Sequence, residues 1–431
     1  MNILITHYSI CDYGGLVNDT EIMTYEFKKM GHTVSNIMLT PMAYGLKIGG
    51  GGILSPRSSG YEMGIGTGLW IHHKNGWLGM DKFGFADKAN IGQWKKYASG
   101  FDLIIHQNPV PTQRKEYKGI DTWLLLYKVK VPQVVISPDA NFRHAYPHLY
   151  KVIKHIAGVV CTHEAGFRAS AKLPAKRILL PGPHIIDKAD VKTRIESKRR
   201  RGICSVQNFK PIKHMEDIIN AIPHLKKSTR KIVAGGGIEY CYMTSVDKVK
   251  PKYVAADGKS IWMHALESGM EFKGYISNEV RDKIMSSVTA HVDCSWSRKY
   301  SALGPHFNRT FIEAMKNGCV PMCTDLGMDD SEVFKPGVHY VRLPSNGDPV
   351  ELAATIEEAL GNKRLIESIQ VNNLKCIHKF NSRFVCEQII KLGTTGDAEG
   401  LLGEARMGSE DKEIKKASEK MMKFFKGGHY E

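Results

Sequence analysis

Short apolar runs recur along this chain, each followed by a polar or glycine-rich turn and then by apolar residues three and four apart. The first run is Ile3-Leu4-Ile5. The loop Asp12-Tyr13-Gly14-Gly15 follows, then a stretch with Leu16, Met23, Phe27 and Met30 on one helical face. Gly31 stops that helix, and Thr33-Val34 opens the next strand. Continuous apolar runs suit parallel strands buried on both faces, and three-to-four spacing marks the helices that cover them. The rhythm returns at Asp102–Ile105, Gln133–Ser137 and Gly158–Cys161. These runs end in His106-Gln107-Asn108, Pro138-Asp139-Ala140-Asn141 and Thr162-His163-Glu164. It starts afresh at Gly202–Val206, followed by a loop to His214 and a helix with Met215, Ile218, Ile219, Ile222 and Leu225 at core spacing. Lys231–Ala234 is the next strand and ends in Gly235-Gly236-Gly237. Two independent strand-loop-helix openings predict two doubly wound α/β domains.

The segment Gly274–Asp325 carries the most chemistry. A strand ending at Tyr275 meets the turn Ser277-Asn278-Glu279 and a helix. A β-rich run (Thr289–Cys294), a Gly/Pro loop and a helix from about Asn308 to Asn317 come next. Gly318 ends that helix and a strand begins at Cys319. A loop before a helix N-terminus is where an α/β unit holds phosphate. Glu313, one turn inside the helix, can reach a ribose hydroxyl.

This stretch resembles the donor-binding half of the retaining, family-4-like glycosyltransferases of the two-Rossmann (GT-B) type. Phe307, Glu313-Ala314-Met315, Gly318, Pro321 and Asp325 match that group's pattern. The group's first glutamate falls on Pro305, and its loop glycines on His306 and Asn308. The resemblance implies two Rossmann-like domains facing a cleft, with the last helices returning to the first. It places the donor's diphosphate near Lys213, which matches the lysine of the pattern GRLxxxKG. The arginine of that pattern is replaced by Asn208, and Lys210 or Arg309 is expected to compensate. Gly14, Gly15, Gly236, Tyr275 and Asn308 complete the expected nucleotide-sugar contacts. The donor is a UDP-sugar, used as substrate, and no cofactor or metal is expected; Asp329-Asp330 is the one acidic pair worth testing. The segment around Asp139 is similar to the corresponding loop of bacteriophage α-glucosyltransferases that modify hydroxymethylcytosine in DNA, with Arg143 shortly after. Asp139 is therefore the expected acceptor-side catalytic residue. Their histidine before that aspartate is Pro138 here, so His106 or His163 is expected to take its role, with His106 as the candidate catalytic histidine.

Charge shapes the expected partners. Of 431 residues, 60 are Lys or Arg and 44 are Asp or Glu, a net charge of +16. That favours polyanions: nucleic acid, an anionic membrane surface or phosphorylated substrates. The stretch Lys188–Lys231 is basic and includes Lys198-Arg199-Arg200-Arg201. Residues 44–88 break the Rossmann rhythm and read as an insertion with short hairpins. There Trp70, His72, His73, Lys74, Trp77 and Lys82 mix stacking surfaces with cations, as nucleic-acid contacts do. Nine cysteines without framework spacing point to reduced thiols in a cytoplasm, the host's if the chain is from a phage. The N-terminus runs straight into a strand, and no apolar run approaches the roughly 18 residues of a membrane span.

These readings combine into domains at 1–197 (acceptor side), 198–375 (nucleotide-sugar side) and 376–431 (crossing helix and charged tail), in a monomer. The expected activity is transfer of a sugar from a UDP-sugar to the hydroxyl of 5-hydroxymethylcytosine in duplex DNA. Alternatives are a lipopolysaccharide or capsule glycosyltransferase at a membrane surface, a sugar-nucleotide epimerase, and an inactive scaffold that binds DNA.

Overall fold

The apolar runs between Ile3 and Leu179 become strands of one sheet. A computed structural model describes residues 1–7, 15–38, 70–73, 76–79, 96, 98–107, 129–137, 156–170, 175–197, 200–207, 209, 213–236, 243–245, 248–249, 259–295, 309–324, 331–345 and 347–402. Two compact units emerge. Met1–Ile185 forms one, with the chain from Lys379 returning to it, and Ile186–His378 forms the other.

In the first unit the strands are β1 (Asn2–His7), β2 (Thr33–Met38), β3 (Trp70–His73), β4 (Gly76–Gly79), β5 (Leu103–Gln107), β6 (Gln133–Ser137), β7 (Gly158–Cys161) and β8 (Lys176–Leu179). Their spatial order is β4-β3-β2-β1-β5-β6-β7-β8. All neighbours are parallel except β2-β3-β4, an antiparallel hairpin added at one edge. The expected hairpin inside 44–88 thus extends the sheet, with His72 opposite Trp77. Helix α1 (Gly15–Lys29) buries Met23 and Phe27, and α2 (Glu164–Ala169) follows β7.

The second unit opens with α3 (Lys188–Glu196), capped by Asp187, whose side chain accepts from the backbone N–H groups of Ala189 and Asp190. Sequence reasoning places these residues in the first domain. They pack instead on the second unit, where Val191 is buried and Arg194 donates to Asn317 at 2.5 Å. Strands β9 (Arg200–Val206), β10 (Arg230–Ala234), β13 (Met270–Phe272), β14 (Val288–Asp293), β15 (Val320–Cys323) and β16 (Val341–Arg342) form a parallel sheet ordered β13-β10-β9-β14-β15-β16. A separate hairpin, β11 (Met243–Ser245) and β12 (Lys248–Val249), follows β10 in the chain. Helix α4 (Met215–Ala221) stops short of the expected Leu225 and tightens into a 3-10 turn over Ile222–His224. Pro223 lacks the N–H that a longer α-helix would need. Helices α5 (Ile261–Glu267), α6 (Asn278–Ser287), α7 (Arg309–Lys316), α8 (Pro349–Gly361) and α9 (Lys363–Cys376) complete the layers. Ile203, Ile219, Val292, Val320 and Ile356 lie in one buried cluster between sheet and helices.

Helix α10 (Ser382–Thr394) then returns to the first unit, where Val385, Ile389 and Leu392 join the core of Ile3, Phe27 and Leu103. Two glycines make the approach possible. A Cβ on Gly158 would overlap Leu392, and one on Gly393 would overlap Leu103. The Ser382 hydroxyl donates to the buried Glu26 carboxylate at 2.9 Å.

Candidate active site

Open parallel sheets bind ligands at the carboxyl ends of the strands where the winding reverses. In the second unit that point lies between β9 and β14, since the chain winds outward from β9 to β10 on one side and to β14 on the other. Gln207 follows β9, and Asp293, Cys294 and Ser295 end β14. The Ser295 hydroxyl donates to Gln207 Oε1 at 3.0 Å, and the Ser295 N–H donates to Asp293 Oδ1 at 2.8 Å. Asp293 is 2% exposed. Burial alone would raise its carboxyl, but Lys213, His291 and the Ser295 donors hold it below the ordinary value. Lys213 therefore lies within electrostatic reach of this buried carboxylate at the crevice. Beneath it, His291 accepts from the Val206 N–H at 3.3 Å, and burial drives its imidazole down to about 4.

The residue after Lys213 is strained. His214 has φ 44 and ψ 43, the left-handed region that a non-glycine residue rarely occupies. Such outliers persist where surrounding structure enforces them, often at functional sites. The turn delivers Lys213 just before α4, whose first turn carries Glu216 and Asp217. Burial and the neighbouring Glu216 raise Asp217 to about 6, with His214 opposing.

Three backbone turns converge beside this point. Phe209 N–H donates to Gly236 O at 2.9 Å and Gly235 N–H to Gly274 O at 2.8 Å. A Cβ on Gly235 would overlap the backbone oxygen of Gln207. A Cβ on Gly236 would stand 3.3 Å from Tyr275 Cδ2. Tyr275 is 54% exposed, a ring offered to solvent at the end of β13. The expected strand through Tyr275 ends at Phe272, because Gly274 turns the chain with φ 59. Phe209, Trp262 and Phe272 stack edge-on below, the last two with ring centres 4.7 Å apart.

Helix α7 brings Arg309 and Glu313 together. Glu313 is 2% exposed, and its Oε1 lies 3.1 Å from Arg309 Nε and 2.6 Å from Arg281 Nη1 of α6. Both ion pairs use Oε1; among the described residues nothing pairs Oε2. Sequence reasoning identifies Glu313 and Arg309 but not Arg281, Asp293 or Gln207, whose partners lie far along the chain.

In the first unit the winding reverses between β1 and β5. Gln107 Oε1 accepts from the Thr20 hydroxyl of α1, fixing helix to strand. His106, the expected catalytic histidine, is 1% exposed and tied at both ring nitrogens. Nε2 meets Gln133 Oε1 at 2.9 Å and Nδ1 meets the Thr6 hydroxyl at 2.7 Å. Gln133 Nε2 donates to Val129 O, so its oxygen is the atom facing the imidazole. His106 is then the Nε2–H tautomer and accepts from Thr6. Burial holds it near 4, with Gln133 opposing. This ring links β1, β5 and β6, and neither nitrogen is open to an acceptor's proton.

Gly15 begins α1. Gly14, Asp139, Lys210, Asn308, the Asp329-Asp330 pair and the basic residues Lys198 and Arg199 lie outside the described residues. Arg201 of the same basic run pairs with the buried Glu357 at 2.6 Å. Among the described residues no group of three or more His, Cys, Asp or Glu is arranged to hold a metal. No helix among them is long and apolar enough to cross a membrane.

No curated protein matches the chain by sequence. Solved structures match it at fold level. Anabaena Alr3699/HepE, in complex with UDP-glucose, has a TM-score of 0.56 and 14% identity over 91% of this chain and 98% of its own. The pneumococcal O-GlcNAc transferase GtfA, with UDP and GlcNAc, has a TM-score of 0.58 and 11% identity over 91% and 99%. An alpha-glucosyltransferase in complex with UDP and a 13-mer DNA containing a HMU base has a TM-score of 0.54 and 13% identity over 91% and 99%. Residues 187–375 match the family model of the glycosyl transferases group 1. The second unit is thus similar to the group 1 glycosyl transferases, and the two Rossmann-like α/β domains share the fold of these solved structures.

Proposed function

We propose that this protein is a retaining glycosyltransferase that moves a sugar from a UDP-sugar to the hydroxyl of 5-hydroxymethylcytosine in duplex DNA. The observation that carries the donor half is the β9/β14 reversal point, where Lys213, Gln207 and the Asp293–Ser295 turn meet. There Lys213 and Arg309 stabilise the charge that grows on the diphosphate as its bond to the anomeric carbon breaks. UDP leaves with the electron pair, and the acceptor oxygen bonds the anomeric carbon as it loses its proton. Glu313 Oε2 accepts from a ribose hydroxyl, and the exposed Tyr275 ring covers the base. UDP in three matching structures supports the choice of nucleotide.

For the acceptor, Asp139 takes the catalytic role, and His106 ties β1, β5 and β6 together. The net charge of +16 and the DNA-bound neighbour favour DNA. The other neighbours show that the fold alone does not fix the acceptor. The test is incubation with a panel of UDP-sugars and hydroxymethylated duplex DNA, followed by nucleoside mass spectrometry. A hexosyl or pentosyl adduct on hydroxymethylcytosine is expected. Unmodified nucleosides with every sugar, alongside transfer to an envelope glycan lipid, would move the assignment to a membrane acceptor.

A further inference from the structure

Two arginines grip one oxygen of Glu313. Arg281, on α6, is 12% exposed, and its other contacts are fixed. Nη1 donates to Asn278 Oδ1 at 3.0 Å, and Nε and Nη2 donate to Asp282 Oδ1 at 3.0 and 2.9 Å. Asp282 is itself tied to Lys316 at 2.8 Å and to Asn317 Nδ2 at 3.1 Å, both from the end of α7. Arg281 is thus part of a frame that locks α6 to α7. Arg309 opens α7, is 21% exposed and reaches Glu313 from one turn away. A buried carboxylate that loses its partner is heavily penalised. A second, immobile cation removes that penalty if the first one leaves.

We infer that Arg281 is the positioning residue of the donor site. It fixes Glu313 so that Oε2 faces the ribose, and it holds the carboxylate when Arg309 turns from Oε1 to the diphosphate. This inference rests on the donor reading above and extends it to a residue that contacts no substrate.

The test measures binding of UDP, 2′-deoxy-UDP, 3′-deoxy-UDP and uridine by calorimetry to wild type, Arg281→Met and Arg309→Met. Wild type should prefer UDP over one deoxy analogue by roughly 10-fold or more, as a hydrogen bond to a charged group would give. In Arg281→Met that preference should collapse to within about threefold, because Glu313 is no longer oriented. In Arg309→Met the preference should persist, while the advantage of UDP over uridine falls by about 10-fold. A purely structural arginine would weaken all ligands together and leave the ratio intact; that result overturns the inference. Should Arg281→Met fail to fold, Arg281→Gln keeps a neutral hydrogen-bonding side chain in the frame and is read by the same ratio. Wild-type binding of UDP without discrimination against either analogue overturns this inference alone. Absence of any nucleotide binding overturns it together with the donor reading.

Discussion

Two fully buried histidines, one in each unit, bind the sheets from within. His106 joins β1, β5 and β6, and His291 of β14 supplies an acceptor to the Val206 N–H of β9. Both imidazoles are held near 4 by burial. In the unfolded chain they would take up protons below about 6.5, while the folded protein stays unprotonated. Their contribution to stability is therefore full above pH 6.5 and falls as the pH drops toward 4, opposed in part by Asp217, whose raised carboxyl acts with the opposite sign. Thermal melts across that range should show it, and a pH-independent Tm would contradict it. His106→Leu should lower Tm, by about 1–3 kcal/mol of stability, because Thr6 and Gln133 lose a buried partner. Its turnover per folded molecule should stay near wild type. A large loss of turnover with an unchanged Tm would return His106 to a catalytic role. Lys213→Ala should lower turnover 10²-fold or more, on the order of one lost charge-stabilising group. Unchanged binding and turnover would remove Lys213 from the donor site.

Among the elements, the strands were the most legible in the sequence. Ile3–Ile5, Val134–Ile136 and Ile232–Ala234 are apolar because both faces of a parallel strand are buried. Helix α7 was legible from its glutamate and its Gly318 stop, which adopts φ 64. Helix α3 was not, because it buries only Val191 and offers no periodic stripe. Helix α9 hides its period differently. Its buried face includes Gln370 and Asn373, whose amides donate to Gly318 O at 2.8 Å and His339 O at 3.0 Å. A polar residue satisfied by a distant backbone looks exposed to any pattern reading. Arg281 and Asp293 escaped notice because the opposite charges that tie them to the site, Glu313 and Lys213, lie 32 and 80 residues away along the chain. The glycine contacts give a test at this scale. Gly235→Ala should destabilise the second unit by roughly 1–3 kcal/mol, the usual cost of forcing an atom into packed space. The Gln207 backbone is the obstacle, so UDP binding should weaken too. An alanine variant with wild-type Tm and UDP affinity would show that the three turns need not converge.

At the scale of the molecule, several of the described basic residues are taken up by ion pairs or burial. Arg201 is paired with Glu357, Arg230 with Glu271 at 2.7 Å, and Lys231 is buried with its ammonium on Ser268 O. Lys198 and Arg199 are the members of the basic run to substitute when DNA affinity is tested, because changing Arg201 would strip a buried carboxylate. Binding to duplex DNA should weaken steeply with salt through counterion release, and the Lys198→Ala, Arg199→Ala double variant should flatten that slope by up to about 2. An unaltered slope would place the DNA contacts elsewhere. Asp139→Asn should keep both ligands bound and stop transfer, because an amide accepts no proton at neutral pH; undiminished transfer would remove Asp139 from the chemistry. The most direct measurement of the whole account is the rate of UDP release from UDP-glucose in the presence of two duplexes, identical except that one carries 5-hydroxymethylcytosine in place of cytosine. Fast release is expected with the hydroxymethylated duplex and only slow hydrolysis with the other. Equal rates with both duplexes, or release stimulated only by anionic lipid vesicles, would contradict it.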